Sequence, residues 1–271
     1  MTPSETLPLT MTPKAKDAMT KEVLTVDKDE RLQSVVDLMQ QKGVSKVVVA
    51  EKGHIVGIVT DGDIADELGA IKNRGVPAAH LHASSAMRRK FQTAAPETEL
   101  REVAALLLAD DAGIVPIVHD RICVGVVTLS DLLARVESPK PIGDVMHSPV
   151  YHVAPSDRVI HARRTMMDHH VERLPVLDGG KILGVVGEGD IARGLARFKA
   201  DVKDSHQPAA LQRFLVEDIY RRGAVTASAE TSAKDAAAMM RAQDVGCLPI
   251  VRGEKVVGIV TRSDLVKLAR F

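Results

Sequence analysis

The chain has 271 residues, of which 45% are hydrophobic and 27% are charged, enough to bury a substantial core. Thirty-six basic residues balance 36 acidic ones, so no net charge draws the protein to nucleic acid or to an anionic membrane. Cys123 and Cys247 are the only cysteines, which favours a reducing cytosol over a disulfide framework. No run of about 18 apolar residues is present, so we expect a cytoplasmic protein without membrane spans.

In chain order, residues 1–13 are expected to form a flexible lead-in, and four copies of one repeat follow. Each copy ends in Gly-hydrophobic-hydrophobic-Thr-x-x-Asp or a close variant, and the final acids are Asp63, Asp131, Asp190 and Asp264. An aligned residue lies 44 positions before each acid, at Met19, Met87, Met146 and Tyr220. Four copies in register indicate a repeat architecture. The expected bounds are 14–72, 82–137, 142–198 and 214–271.

Within a block, the period of the apolar residues changes and predicts the elements. A short strand near 23–26 is followed by a helix, whose apolar stripe in the first block is Leu32, Val35, Val36 and Met39. A hairpin across Glu51-Lys52-Gly53 comes next, and the Thr-x-x-Asp segment then starts a second helix. The predicted unit is βαββα, so the fold class is α/β (α+β).

One such unit is too small to bury its apolar faces alone, so the blocks are expected to pair. The Pro139-Lys140-Pro141 stretch separates the second block from the third and predicts two modules, 14–137 and 142–271. We expect the sheet faces of the paired blocks to form the core of each module. The polar stretch 199–211 is expected to be an exposed connection.

The Thr-x-x-Asp segment has two interpretations. It is a capping box, in which hydroxyl and acid satisfy free amides at the start of the helix. Alternatively, the acid accepts hydrogen bonds from a ribose while the helix start favours a phosphate. In the third block Gly187 replaces the threonine while Asp190 remains, which favours a separate task for the acid. The two roles can coexist.

A second feature is the residue two positions before the aligned Val48, Pro116, Pro175 or Pro249. It is basic in the first and third blocks and apolar in the others, the four residues being Lys46, Ile114, Arg173 and Cys247. Each module therefore has one cation, which either faces a phosphate in the cleft or is a solvated charge at a strand end. Arg88, Arg221 and Arg262 lie near the same loops and either complete phosphate sites or cover surface.

These motifs resemble CBS domains, named after cystathionine beta-synthase, over nearly the whole chain after residue 14. The resemblance implies four CBS motifs paired into two Bateman modules that assemble as a disc. It also implies adenosine ligands: AMP, ADP, ATP or S-adenosylmethionine. With two modules and no other domain, the chain is similar in architecture to the gamma subunit of AMP-activated protein kinase.

The resemblance also implies the ligand-binding residues. The ribose-binding acids are Asp63, Asp131, Asp190 and Asp264. The hydroxyls beside them are Thr60, Thr128 and Thr261, and Ser130 and Ser263 are further polar positions of the loop. The phosphate-facing cations are Lys46 and Arg173. The first-strand residues that line the adenine pocket are Val23, Phe91, Val150 and Ala224. With aromatic residues at 2%, we expect aliphatic walls around the base. Gly187 departs from the family pattern and puts the third site in doubt.

No nucleophile and base pair stands outside the repeats, so we predict a protein that is not an enzyme and has no catalytic cofactor. The histidines lack cysteine partners for a metal site, and no dedicated nucleic-acid module is evident. We expect an energy-sensing regulator that binds adenine nucleotides and acts on an unidentified protein, with a homodimer as an option. The alternatives are a sensor of S-adenosylmethionine or another adenosyl ligand, and a scaffold that binds none.

Overall fold

The structure is a computed structural model that describes residues 12–70, 80–202, 206 and 210–271. Residues 1–11 of the predicted lead-in lie outside this range, and the Pro13 carbonyl accepts a hydrogen bond from the Leu100 amide at 2.8 Å. The described residues form a mixed α/β fold of four similar blocks, as predicted. Each block opens with a short helical turn, at Ala15–Asp17, Ala83–Ala86, Ile142–Asp144 and Val216–Asp218.

The remaining elements follow the predicted order within each block. The first block contains β1 Thr25–Asp27, α1 Leu32–Lys42, β2 Lys46–Glu51, β3 His54–Thr60 and α2 Asp61–Gly69. The second opens on α3 Ala83–Ala86 and contains α4 Leu100–Ala109, β4 Ile114–His119, β5 Ile122–Thr128 and α5 Leu129–Leu132. The third contains α6 Val159–His169, β6 Arg173–Asp178, β7 Lys181–Gly187 and α7 Glu188–Asp201. The fourth contains β8 Arg221–Arg222, α8 Ala233–Ala242, β9 Cys247–Arg252, β10 Lys255–Thr261 and α9 Arg262–Val266.

The predicted helix stripes and hairpins are confirmed. Leu32, Val35, Val36 and Met39 of α1 are buried, and Gly43 ends this helix in a left-handed conformation at φ 66°. Each predicted hairpin is an antiparallel pair, such as β2 with β3. The first strand is shorter than expected. It is a strand only in the first block, where β1 runs parallel to β2, and a single parallel bridge in the others, such as Val153 with Val176.

Within each module, the aligned Met or Tyr of one block packs over the aligned glycine of the other. The pairs are Met19 over Gly125, Met87 over Gly57, Met146 over Gly258 and Tyr220 over Gly184. A Cβ atom at Gly184 would lie 1.9 Å from the backbone carbonyl oxygen of Arg221, so this position requires glycine. This packing explains why the repeat retains both positions, and it fixes where the residue after each Met or Tyr points.

The apolar cores are not confined to single modules, contrary to our expectation. One core combines the first and third blocks, from Val26 to Leu68 and from Val153 to Ala196, together with the opening segments of the other two. The other core combines the second and fourth blocks. The difference arises because the helices of one module pack on those of the other, as α2 does on α7. A smaller cluster of Ile58, Ala112 and Ile114 lies between the sheets of the first module.

The prediction that residues 199–211 form an exposed connection is wrong for the first residues of this stretch. Helix α7 continues to Asp201, and Lys199 is only 7% exposed. Residues 203–205 and 207–209 of this stretch lie outside the described part of the chain.

Candidate functional site

The aspartate of each Thr-x-x-Asp segment closes the N-terminus of the following helix. Asp63 Oδ2 accepts hydrogen bonds from the Thr60 amide at 2.9 Å and from the Thr60 hydroxyl at 2.8 Å. The same pair of bonds joins Asp131 to Thr128 and Asp264 to Thr261. One carboxylate oxygen per block is therefore used in capping.

The third block keeps half of this arrangement without a threonine. Asp190 Oδ2 accepts a hydrogen bond from the Gly187 amide at 2.9 Å. This amide is one of the free donors at the start of α7, and an aspartate satisfies it whatever side chain precedes it. Capping thus explains why Asp190 remains when the threonine is lost, and its presence there does not require a ligand.

The second oxygen of each aspartate faces a side chain from the other block of the module. The contacts to Oδ1 run from Thr20 to Asp131 at 3.4 Å, from Arg88 to Asp63 at 2.7 Å, from His147 to Asp264 at 3.0 Å and from Arg221 to Asp190 at 3.1 Å. All four donors directly follow the Met or Tyr that packs over a glycine. Sequence reasoning did not pair these residues with the aspartates, although their equal distance from the repeat start was a usable signal.

Two cavities of about 830 and 690 Å³ open between the blocks. The larger cavity lies at the Thr-x-x-Asp loops of the first and third blocks. Three predicted site residues line this cavity and not the smaller one: Thr60, Asp190 and Ala224. The smaller cavity lies at the corresponding loops of the second and fourth blocks. Its predicted residues are Val23, Thr128, Ser130, Asp131, Val150, Thr261 and Ser263.

Three predicted site residues line neither cavity. Asp63 and Asp264 are covered, with side chains 12% and 6% exposed. Phe91 packs against the cluster that contains Ile58 and Ile114. The structure therefore brings most of the predicted set to the cavities but does not place these three side chains where they face open space.

The two predicted cations, Lys46 and Arg173, meet where the cavities adjoin, since both residues line both. The side chain of each cation extends over a glycine of the other block in its module. A Cβ atom at Gly246 would lie 2.4 Å from the Arg173 guanidinium carbon, and one at Gly113 would lie 3.2 Å from Lys46 Cε. Arg262 also lines both cavities, so three cations from three blocks share the centre of the molecule.

The three central cations differ in how they are neutralised. Arg173 pairs with Glu172 at 2.6 Å, and Arg262 pairs with Asp244 at 3.0 Å. Among the described residues, no carboxylate lies within ion-pair distance of Lys46, whose ammonium contacts the Ser45 hydroxyl at 3.3 Å. Burial lowers the pKa of Lys46, with Arg173 and Arg262 acting in the same direction, whereas Glu172 and Asp61 raise it. An anion bound at this point would compensate that penalty.

The larger cavity also contains two acids that sequence reasoning missed. Asp61 and Glu188 occupy equivalent first positions of α2 and α7, and each faces the other's loop. A Cβ atom at Gly189 would lie 2.3 Å from Asp61 Oδ2, and one at Gly62 would lie 2.6 Å from Glu188 Oε2. Burial raises the pKa of Asp61 to about 6 and that of Glu188 to about 8. Beside these loops the larger cavity is also lined by Arg88, Arg193 and Arg221, so acids and cations share it.

The smaller cavity, which is lined by the acids Glu22, Asp131, Glu172 and Asp244, contains an aromatic stack. The rings of Tyr151 and His169 lie parallel, 3.7 Å apart at 11°. Both residues line the cavity beside the aliphatic wall of Val23 and Val150. We had expected aliphatic walls only. Tyr151 precedes helix α6, and His169 is the last residue of this helix. No local pattern in the sequence indicates that their rings stack.

In the part of the chain that the structure describes, no group of three or more His, Cys, Asp or Glu residues is placed to hold a metal ion. No helix there has the length and apolar character needed to cross a membrane.

Comparison with known proteins gives the family. The CBS domain model matches residues 15–70, 83–138, 142–197 and 216–270. Two uncharacterized proteins of Methanocaldococcus jannaschii, MJ1404 and MJ1225, are 26% and 25% identical to this chain, of which each alignment covers 93%. The aligned part is 61% of MJ1404 and 97% of MJ1225.

Solved structures agree on the fold. The crystal structure of MJ1225 has a TM-score of 0.82 at 23% identity, and the alignment covers 94% of this chain and 99% of that one. An uncharacterized conserved protein from Pyrococcus horikoshii has a TM-score of 0.60 at 21% identity, with the same coverage. The four family matches together span most of the sequence, and the four blocks of the structure coincide with them. The chain therefore belongs to the CBS domain family.

Proposed function

We propose that this protein is a cytoplasmic regulator that binds an adenine nucleotide, AMP, ADP or ATP, between paired CBS domains and transmits the bound state to a partner protein. The observation that carries the proposal is the position of Lys46. It is a desolvated cation without a carboxylate partner among the described residues, and it lies where two cavities meet. A phosphate group supplies the missing counter-charge.

The charge at this centre favours a phosphate over S-adenosylmethionine. Arg173 and Arg262 are paired with Glu172 and Asp244, so the charge that repels the sulfonium of that ligand and attracts the phosphates of a nucleotide is that of Lys46. The hydroxyls and Asp131 in the smaller cavity supply hydrogen-bond partners for a ribose. S-adenosylmethionine and other adenosyl ligands are thus the second choice.

The central position suits regulation. A ligand at Lys46 and Arg173 touches both modules, so its binding energy depends on how the modules are arranged, and this dependence is what allows a ligand to bias a conformation. The structure of MJ1225 is described as that of "a putative archaeal homolog of g-AMPK". The same kind of role, sensing of adenylates for a partner protein, is our proposal here. Catalysis is not part of the proposal.

A scaffold without ligands is the rival function, and one observation favours it. In each block the aspartate Oδ1 already has a partner from the other block, so the acid that would bind ribose is engaged. In that case the Thr-x-x-Asp loops would serve only to cap helices and join blocks.

Thermal denaturation with a ligand panel separates the two functions. A nucleotide at about a hundredfold over its dissociation constant adds roughly 2.7 kcal/mol to the free energy of unfolding. We expect AMP, ADP or ATP to raise the melting temperature, adenosine to raise it less, and S-adenosylmethionine to have little effect. The difference between AMP and adenosine reports the phosphate contacts.

The matched variant is Lys46→Met, which keeps the length of the side chain and removes its charge. We expect it to fold, because it relieves a desolvated cation, and to lose the difference between AMP and adenosine. If no member of the panel changes the melting temperature of the wild-type protein, the regulator proposal is wrong and the scaffold stands.

A further inference from the structure

Among the described residues, the side chain after the aligned Met or Tyr is the one that makes a polar contact with the aspartate of the other block in its module. We name these four side chains, Thr20, Arg88, His147 and Arg221, the gate residues. Their backbones are held by sheet bridges, such as Thr20 with Val126 and Arg88 with Ile58. The packing of the Met or Tyr on its glycine therefore places each gate residue beside the aspartate of the other block, and only the type of side chain differs between blocks.

Two of the gate residues, Arg88 and Arg221, are arginines that donate hydrogen bonds to the aspartate. Arg88 Nε donates to Asp63 Oδ1 at 2.7 Å, and Asp63 lines neither cavity. Asp190 lines the larger cavity, but its Oδ1 accepts from both Arg221 and Arg193, the latter at 2.6 Å. Charge-assisted hydrogen bonds of this kind are about twice as strong as neutral ones, so a ribose hydroxyl does not readily replace them.

The third gate, His147, lies 3.0 Å from Asp264 Oδ1, and Lys267 approaches the same oxygen at 3.5 Å. The carboxylate is 6% exposed and does not line a cavity. Three of the four aspartates thus have an Oδ1 that is held by a basic side chain.

The fourth aspartate, Asp131, differs in kind. Its gate is Thr20, a neutral side chain whose hydroxyl lies 3.4 Å from Oδ1, at the long end of hydrogen-bond distances. Asp131 lines the smaller cavity together with Val23 and Lys46. One acceptor oxygen, an aliphatic wall and a cation with no carboxylate within ion-pair distance among the described residues therefore line the same cavity.

We propose that the gate residue decides which of the four aspartates can bind a ribose, and that Asp131, with its neutral gate Thr20, is the primary site. The inference rests on the proposed nucleotide binding and adds its location and its selector. The nucleotide places its ribose on Asp131 and its phosphate toward Lys46. The basic gates close the other three positions by holding the carboxylates that a ribose would need.

The test moves a basic gate to the open site. Thr20→Arg places at Asp131 the side chain that covers Asp63, and Thr20 is exposed, so the fold tolerates the change. Isothermal titration with AMP is expected to show a single site in the wild-type protein and a loss of about tenfold or more in affinity for the variant. Thr93→Arg is the matched control. It adds the same charge at an exposed threonine that lines neither cavity, and it should bind as the wild type does.

The reciprocal variant, Arg88→Thr, gives Asp63 the neutral gate, and a second AMP site in this variant would support the proposal further. If Thr20→Arg binds AMP as tightly as the wild type or more tightly, the gate is overturned, because the added cation then only attracts phosphate. Wild-type protein that binds neither AMP nor ATP would instead overturn the proposed function, and the primary site with it.

Discussion

Glu188 and Asp61 show how single residues acquire properties that their own sequence context does not give them. Each is the first residue of a helix, where the dipole favours a negative charge. Packing of α2 on α7 nevertheless buries both carboxyls against the opposite loop, and burial raises the pKa of Glu188 to about 8. The desolvation cost outweighs the helix dipole, so these acids are protonated over a range where exposed acids are ionised.

Glu188 should therefore make stability fall with rising pH. An unfolded glutamate releases its proton near pH 4.3, whereas the folded one keeps it to about pH 8. Between these values the folded state binds more protons, so the free energy of unfolding decreases by up to about 1.4 kcal/mol per pH unit. The stabilisation is complete below the unfolded pKa and is lost through the folded one. Chemical denaturation of the wild type and of Glu188→Gln from pH 5 to 9 measures it.

The glutamine variant should show a shallower slope, and the two proteins should diverge toward pH 9, where the variant is the more stable. Glu217→Gln, a change at an exposed glutamate, is the control and should follow the wild type. Equal slopes for Glu188→Gln and the wild type would contradict a protonated, buried Glu188.

At this scale the sequence predicted the residues whose pattern is local. Lys46 and Arg173 were found by comparing blocks, and the structure places both at the centre. The gate contacts and the pair of Asp61 and Glu188 were not found, because each joins positions in different blocks. A sequence shows that such positions are equivalent but does not show which copies face each other.

At the scale of elements, the Thr-x-x-Asp segment is first of all a helix start. The amides of Thr60, Thr128, Gly187 and Thr261 donate to the aspartate three residues later, which closes the helix N-terminus in every block. The apolar period predicted the main helices, because each helix buries one stripe whatever its partner is. The first strand of each block is shorter than the sequence predicted. Three of them make only one bridge each, so their extended conformation owes little to sheet pairing.

Removal of the capping aspartate in the fourth block should lower the free energy of unfolding and leave the affinity for AMP unchanged. Asp264→Ala removes a side chain that is 6% exposed and leaves the Thr261 amide without its acceptor, while the Thr261 hydroxyl keeps its contact with the Ser263 hydroxyl at 2.8 Å. We expect a loss of about 1–2 kcal/mol in the free energy of unfolding. AMP affinity should be unchanged, because Asp264 lines neither cavity. Urea denaturation and titration with AMP measure the two effects.

Ser232→Ala provides the comparison, since Ser232 accepts a hydrogen bond from the Asp235 amide and caps α8 away from the cavities. Both variants should lose stability to a similar degree. An Asp264→Ala protein with wild-type stability and weakened AMP binding would show that the acid serves the ligand instead.

At the scale of the whole molecule, the two modules are built into each other. The linker predicted their boundary, but each apolar core takes one block from each module. The sequence could not reveal this arrangement, because all four blocks carry equivalent apolar faces and nothing in the pattern assigns partners. A consequence is that a ligand at the centre lies between units that cannot separate without exposing a core.

Neither half of the chain should therefore persist as a folded monomer. Fragments 1–138 and 139–271, cut in the proline linker, each expose the helix faces that the other half covers, including α2 and α7. We expect each fragment alone to self-associate or to lose structure, and the mixture to form a one-to-one complex, as measured by light scattering and circular dichroism. Gly62→Leu in the first fragment should weaken the complex, because a Cβ atom there already meets Glu188. Two stable monomers would instead show that the modules are independent, and a nucleotide at their junction would then need to hold them together itself.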